Sequence, residues 1–234
     1  MTNSGPHKVY VILADPVLPW VNSTINNYNV WIEALDFAID SAGCRGQTTS
    51  ANALKQITQH LFDGHGVSYD TVSGKCSYVS IPYPLRFTID LTEYMRKTRG
   101  SVVNCYDQAV AVAILGRGLG VSANINYMEP FGYINIIDLV GVGYCNNPFY
   151  DDADIVQHFR IVDMDSVFPN RSFFGNHAFV TFNGMVFDAC AGPTKGNRTI
   201  DQYISDTIDT STPAEASSAG NFVDVHGCSL QIRH

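Results

Sequence analysis

Three residues of this sequence have the types and surroundings that thiol chemistry needs. Cys105 follows Asn104, a residue type that caps helices, and precedes a run that is apolar from Ala109 to Leu115. We therefore expect Cys105 in the first turn of a buried helix, where unpaired N–H groups and the helix dipole favour a thiolate. The other five cysteines lack this setting, and we interpret them as structural.

A later hairpin supplies a histidine and a carboxylate. The run HAFVTFNGMVFDAC (177–190) has Asn183-Gly184 between two β-prone segments, which is typical of a two-residue turn. Counting outward from that turn puts His177 and Asp188 on one face as diagonal neighbours. Taken singly, each residue fits a purely structural role. Together with Cys105 they are the parts of an activated nucleophile, in which a base takes the thiol proton and a carboxylate orients the base.

The elements that must position these residues follow from periodicity and turn signals. Helices are predicted over 28–42, from a Ser50 cap to about Leu61, from the DLTE capping box (90–93) to about Arg99, and at 199–208. A hairpin is predicted at 69–78, strands at 131–144, 152–165 and 222–232, a loop at 209–221, and a strand or arm in the first twenty residues. Helices precede most strands, so we predict an α+β fold with an antiparallel sheet.

Composition narrows the functional classes. The 234 residues are 45% hydrophobic and carry a net charge of −8, with no basic stripe, which argues against nucleic acid as a partner. No apolar run reaches the length of a membrane span, and the N-terminus lacks a signal-peptide pattern. We therefore expect a soluble protein without a membrane span, either cytoplasmic or exported by a signal-independent route.

Other polar clusters suggest no second chemistry. The six cysteines are widely spaced without a C-x-x-C, which argues against a zinc site and leaves their disulfide state open. Asp151, Asp152 and Asp154 are interpreted as a solvated turn rather than a cation site. His60 and His65 flank a glycine-rich turn, and we expect them at the surface.

Two segments carry a family resemblance. VNCYDQAVAVAILGRGLGV, followed by NHAFVTFNGMVFDAC, resembles the transglutaminase-like superfamily of papain-type thiol enzymes, in its bacterial form. The YD…Y pattern in YDTVSGKCSY is similar to the segment that precedes the core helix in bacterial members. The resemblance implies a papain/transglutaminase-like core, in which a helix carrying the Cys packs on an antiparallel sheet carrying the His and Asp, with extra N-terminal helices.

The resemblance also implies residue roles. Cys105 would be the nucleophile, His177 the general base and acid, and Asp188 the group that orients His177. The oxyanion donors would be the N–H of Cys105 and one nearby group, with Asn104 and Gln108 as the two candidates.

The resemblance covers roughly residues 50–192 of a single domain. Residues 1–49 would be an N-terminal extension with a helix, and residues 193–234 a C-terminal segment with a loop and a final strand. From Cys105 to His177 is 72 residues, longer than the compact family core, so we interpret 144–172 as an insertion. The two tryptophans, Trp20 and Trp31, lie far upstream of Cys105, which argues against the crosslinking chemistry of members with a tryptophan near the thiol.

Three functions remain open at this point. The first is a thiol-dependent amide hydrolase (a peptidase, amidase or deamidase) that forms an acyl-enzyme on Cys105. The second is a transglutaminase-type acyltransferase that uses the same residues. The third is an inactive binding module or a secreted bacterial effector toxin with this fold. Both enzymes would act on a protein, a peptide or another amide, and their chemistry needs no cofactor.

Overall fold

Helices and sheets both contribute to the fold, as the α+β prediction requires. The computed structural model describes residues 8–22, 27–28, 30–70, 75–81, 86–128, 132–133, 173–174, 177–190, 194–207 and 229–233. Its helices are α1 (Ile32–Asp36), α2 (Ser50–Gln59), α3 (Leu91–Arg96), α4 (Cys105–Gly118) and α5 (Ile200–Thr207). A π-helical turn follows α1 at Phe37–Ser41 and α2 at His60–Gly64.

The strands are short and form several separate sheets. They are β1 (Val21–Asn22), β2 (Asn27–Tyr28), β3 (Ser68–Tyr69), β4 (Val79–Ser80), β5 (Arg86–Asp90), β6 (Val102–Val103), β7 (Asn124–Met128), β8 (Gly132–Tyr133), β9 (Phe173–Phe174), β10 (His177–Phe182), β11 (Met185–Asp188), β12 (Thr194–Thr199) and β13 (Ser229–Arg233). The largest described sheet has the order β12-β11-β10-β7, with every neighbouring pair antiparallel. A second sheet has the order β13-β5-β4, in which β13 runs parallel to β5.

Helix α4 is the centre of the hydrophobic core. Every residue from Ala109 to Gly116 is buried, as a helix that is apolar all round must be. One side of α4 packs against β10 of the main sheet, and α2 packs against it as well. The thiol at its first residue is therefore held by the best-packed element of the described chain.

The N-terminal extension belongs to the same core. Residues 8–20 form an arm without regular secondary structure, and its Trp20 is fully buried. The indole Nε1 of Trp20 donates a hydrogen bond to the carbonyl of Ile114, at 2.7 Å. The close approach needs Gly118, because a Cβ there would come within 3.3 Å of Trp20 Nε1. The arm thus covers the C-terminal half of α4.

Several predicted boundaries were wrong. The first helix begins at Ile32 rather than at residue 28. The side chain that caps α2 is Thr49 rather than Ser50. No side-chain cap forms at Asp90, whose carboxylate pairs with Arg99 instead.

The hairpin predicted at 69–78 is also wrong. Strand β3 pairs with β6 in parallel, with Tyr69 opposite Val103, and within the described residues it forms no strand pairing with 75–78. Its proposed turn, residues 73–74, lies outside the described residues. So do the loop at 209–221, the strand at 152–165, the insertion at 144–172 and most of the strand at 131–144.

His65 is buried rather than exposed, contrary to the sequence expectation. Its ring packs against Phe37 and Tyr94, and its Nε2–H donates to the carbonyl of Tyr94 at 3.1 Å. Burial disfavours the imidazolium and lowers the pKa of His65 to about 4, against the partial effect of that carbonyl. The folded protein therefore keeps His65 neutral at pH values where the unfolded chain protonates it.

We expect this histidine to make the fold acid-sensitive between about pH 6.5 and 4. The unfolded chain binds the extra proton in that window, so the free energy of unfolding falls by about 3 kcal/mol as the pH is lowered. His65→Gln keeps an N–H donor but cannot titrate. Denaturant titrations of both proteins at pH 7, 6, 5 and 4 should show the wild type losing stability relative to the variant. A constant difference across this range would contradict the assignment.

Candidate active site

The cap of α4 fixes the position of Cys105. The Oδ1 of Asn104 accepts hydrogen bonds from the N–H groups of Tyr106 and Asp107, at 3.0 and 3.2 Å. The carboxylate of Asp107 accepts a hydrogen bond from the N–H of Asn104 at 3.1 Å, which completes a capping box. Cys105 is the first helical residue, as predicted, and its side chain lies where the helix dipole is positive.

Asp107 also connects this turn to another part of the chain. Its Oδ2 accepts from the N–H of Ser77 at 2.8 Å, and its Oδ1 accepts from those of Tyr78 and Val79 at 2.9 and 2.8 Å. The carboxylate is fully buried, and burial raises its pKa while these N–H groups oppose the rise. One side chain thus ties the segment that enters β4 to the turn that carries the thiol.

The β10–β11 hairpin brings His177 and Asp188 together. Phe182 pairs with Met185 across Asn183-Gly184, and both turn residues have positive φ, +51° and +75°, as a two-residue turn requires. The predicted register is therefore the observed one. The His177 Nε2 lies 2.6 Å from the Oδ2 of Asp188, with both side chains buried.

Two further groups hold the Asp188 carboxylate. The hydroxyl of Tyr203, from α5, donates to Oδ2 at 2.6 Å, and the N–H of Cys190 donates to Oδ1 at 2.7 Å. Burial raises the pKa of Asp188, but His177, Tyr203 and the Cys190 N–H outweigh it and leave the pKa below its ordinary value. Asp188 is therefore an ionised carboxylate whose lone pairs are directed by three donors.

The imidazole of His177 lies close enough to the thiol of Cys105 for the two groups to interact. The packing of α4 on β10 creates this proximity across the sheet. Burial lowers the pKa of His177, but Asp188, and then Cys105, raise it to about 10. At neutral pH the histidine is an imidazolium between a carboxylate and a sulfur. This is the arrangement that supports thiolate chemistry.

Tyr69 also lies beside the thiol, and sequence reasoning missed it. Its hydroxyl is close enough to the Cys105 side chain to interact with it. Burial, followed by the nearby Cys105 and Cys190 thiols, holds its pKa well above the ordinary value. The YD…Y segment that carries part of the family resemblance begins with Tyr69. The hairpin predicted there was wrong, and it gave no reason to place Tyr69 beside the helix. Tyr203 was missed as well, because nothing in the sequence of a short amphipathic helix indicates which strand it packs against.

The two candidate oxyanion donors have other partners. Gln108 lies deep in the core, where its Nε2 donates to the carbonyl of Leu61 at 2.8 Å and its Oε1 accepts from the hydroxyl of Tyr94. Asn104 uses Oδ1 for the helix cap, and its Nδ2 contacts the sulfur of Cys76 at 3.4 Å. Neither side chain is directed at the Cys105 thiol by these contacts.

Three other cysteines lie among the described residues. Cys44, Cys76 and Cys190 are free thiols. Burial raises the pKa of both Cys44 and Cys76 to about 12. Among the described residues no group of three or more His, Cys, Asp or Glu side chains could hold a metal ion, and none of the helices is long and apolar enough to cross a membrane.

A cleft of about 330 Å³ lies at the turn end of the hairpin, away from the thiol. Its walls include the first turn of α2, Phe182, Asn183 and Lys195. None of Cys105, His177 and Asp188 lines this cleft. The evidence for the candidate site is therefore the arrangement of these side chains and not a cavity.

Comparisons with protein-family models, with curated proteins and with solved structures found no match for this chain.

The site geometry predicts an unusual order of thiol reactivity. At pH 7 we expect iodoacetamide to alkylate Cys105 at least about tenfold faster than Cys76, because the positive charge of His177 lies beside the Cys105 sulfur whereas burial raises the pKa of Cys76 to about 12. Accessibility alone predicts the reverse, since Cys76 is half-buried and Cys105 is only 2% exposed. Peptide mass spectrometry after timed labelling gives both rates.

A matched variant isolates the histidine in this experiment. His177→Gln should abolish the preference for Cys105 and leave the rate at Cys76 unchanged. Faster labelling of Cys76 in the wild type would contradict the activation of Cys105 by His177.

Proposed function

We propose that this protein is a thiol-dependent amide hydrolase that acts through an acyl-enzyme on Cys105. The observation that supports it best is the order of three neighbouring side chains: the Cys105 thiol lies beside the His177 imidazole, whose Nε2 is 2.6 Å from the Asp188 carboxylate. All three side chains are buried, with exposures of 2%, 4% and 2%. Burying an imidazolium and a carboxylate without use would be costly, and active sites are where such pairs concentrate.

The proposed fold follows from the same elements. Helix α4 and the antiparallel sheet β12-β11-β10-β7 would form a papain/transglutaminase-like core. The helix presents the thiol at its N-terminus, and one hairpin of the sheet presents both partners. The sequence resemblance stated above agrees with this assignment.

The reaction would run in two stages. In the first, the Cys105 thiolate attacks the amide carbon, a C–S bond forms, and the imidazolium of His177 gives its proton to the leaving amine as the C–N bond breaks. In the second, neutral His177 removes a proton from a water molecule that attacks the thioester. The C–S bond then breaks, the acid is released, and the thiolate–imidazolium pair is restored. Asp188 keeps the imidazole oriented throughout and remains ionised.

Variants of two neighbouring cysteines test the proposal. The assay follows ammonia release from glutamine-containing peptides and cleavage of casein, with circular dichroism to check the fold. Cys105→Ala should lose turnover by more than about 10³-fold, because no thiolate remains to form the acyl-enzyme. Cys76→Ala, the matched control, should keep it. Undiminished turnover in Cys105→Ala would overturn the proposal.

Acyl transfer is the second candidate, and the burial of the thiol favours it. A thiol that is 2% exposed lies in a site from which water is largely excluded, so an acyl-enzyme would be protected from hydrolysis. A labelled primary amine distinguishes the two reactions. Incorporation of the amine into casein would assign transfer, whereas release of ammonia or new termini without incorporation would assign hydrolysis.

The raised pKa of His177 gives a prediction about its titration. Asp188 is the largest influence that raises this pKa against burial, so Asp188→Asn should lower it from about 10 to below 6.5. The imidazolium would then be lost at neutral pH. NMR titration of histidine-labelled protein, with the His177 resonance assigned from His177→Gln, measures the change. Asp201→Asn, on the exposed face of α5, is the matched control and should leave the pKa of His177 unchanged. An unchanged titration in Asp188→Asn would contradict the pairing.

A further inference from the structure

Tyr69 is held beside the first turn of α4 by backbone pairing. Strand β3 runs parallel to β6, with Tyr69 opposite Val103, and the N–H of Asp70 donates to the carbonyl of Val103 at 2.7 Å. Val103 is only two residues before Cys105. The position of Tyr69 relative to the thiol is therefore set by strand hydrogen bonds and not by the side chain alone.

Its hydroxyl and the His177 imidazole both lie beside the same sulfur. Tyr69 is close enough to Cys105 to interact with its side chain, and it also lies close enough to Cys190 and Asp188 for their charges to affect it. His177 lies beside the thiol on the side of the sheet, on β10. The sulfur thus has two polar neighbours from different elements, and the proposed mechanism uses only one of them.

The chemistry of a phenol suits one role at this place. Burial and the neighbouring thiol keep Tyr69 protonated over the whole range in which a thiolate works, so it is a neutral donor and not a base. When the thiolate attacks a carbonyl, the oxygen that gains charge is bonded to the same carbon as the sulfur. A donor that reaches the sulfur therefore reaches that oxygen after a small movement.

No side chain expected from the sequence fills this role. Both ends of the Gln108 amide are engaged in the core, and Asn104 is engaged in the helix cap and with Cys76. The other first-turn donor beside the thiol is the N–H of Cys105 itself, because the Asn104 cap takes those of Tyr106 and Asp107. One backbone donor and one phenol would make a two-donor oxyanion site.

We propose that Tyr69 is a catalytic residue that donates a hydrogen bond to the oxyanion formed on attack by Cys105. This inference rests on the proposed thiol mechanism. As the C–S bond forms, the π electrons of the carbonyl move to oxygen, and the Tyr69 hydroxyl transfers its hydrogen bond from sulfur to that oxygen without giving up the proton. When the C=O bond re-forms and the leaving group departs, the hydroxyl returns to the sulfur.

Two reagents separate this role from a structural one. p-Nitrophenyl acetate acylates a thiolate through a tetrahedral oxyanion and releases p-nitrophenolate, whereas iodoacetamide alkylates it by direct displacement with no oxyanion. In Tyr69→Phe we expect acetylation of Cys105 to slow by about 100-fold, as the loss of one oxyanion donor does elsewhere. Alkylation should stay within about twofold of the wild-type rate, since only a sulfur contact is lost. Mass spectrometry of the Cys105 peptide measures both rates on the full chain.

Tyr127→Phe is the matched control. The Tyr127 ring stacks on that of Tyr106, with the ring centroids 5.9 Å apart, and the loss of its hydroxyl should change neither rate at Cys105. Three results for Tyr69→Phe would overturn the proposal: unchanged acetylation, an equal fall in both rates, or a rise in either. The last would mean that the phenol restrains the thiol instead of assisting it. A wild-type protein whose Cys105 reacts with neither reagent would overturn the thiol mechanism itself, and the role of Tyr69 with it.

Discussion

The buried carboxylate of Asp107 is the constraint on which the candidate site depends. It accepts hydrogen bonds from four backbone N–H groups, those of Asn104 and of residues 77–79. A buried charge is tolerated only when donors replace its water, and here the donors come from two distant segments. The same bonds therefore stabilise the charge, close the capping box and fix the turn that carries Cys105. A negative charge on Asp107 would disfavour a thiolate at Cys105, two residues away. The four N–H groups that bond the Asp107 carboxylate limit that effect.

The second half of the site depends on a register. In a hairpin, a shift of one residue would move His177 and Asp188 to opposite faces of the sheet. The Asn183-Gly184 turn prevents this, because both residues tolerate the positive φ that a two-residue connection needs. Pairing of β10 with β7 on its other side fixes the strand again, with His177 opposite Met128. The histidine is thus positioned by backbone hydrogen bonds on both edges, and Asp188 has only to orient its ring.

The sequence predicted the parts of the site that obey local rules. Asn104, the apolar run after Cys105 and the Asn183-Gly184 turn are short-range signals, and the helix start and hairpin register followed from them. Tyr69 and Tyr203 could not be found in this way, because each reaches the site through a pairing with residues far along the chain. The same reason explains the parallel pairing of β13 with β5 and the burial of His65. Where a distant partner competes, as Arg99 does for the Asp90 carboxylate, the local capping rule fails.

In the proposed mechanism two donors face one sulfur. This raises a question of energy, since a hydrogen bond to the attacking thiolate would stabilise the ground state and would not by itself accelerate attack. His177 would resolve this by passing its proton to the leaving amine. Tyr69 has no such transfer, because burial and the adjacent thiol keep its phenol protonated. It can assist only if its bond is stronger to the oxyanion than to the sulfur. Oxygen concentrates negative charge more than sulfur does, so moving the bond from one to the other makes the interaction selective for the transition state. The phenol would then slightly lower the reactivity of the thiolate before attack, and it would lower the barrier of the acyl-transfer step specifically.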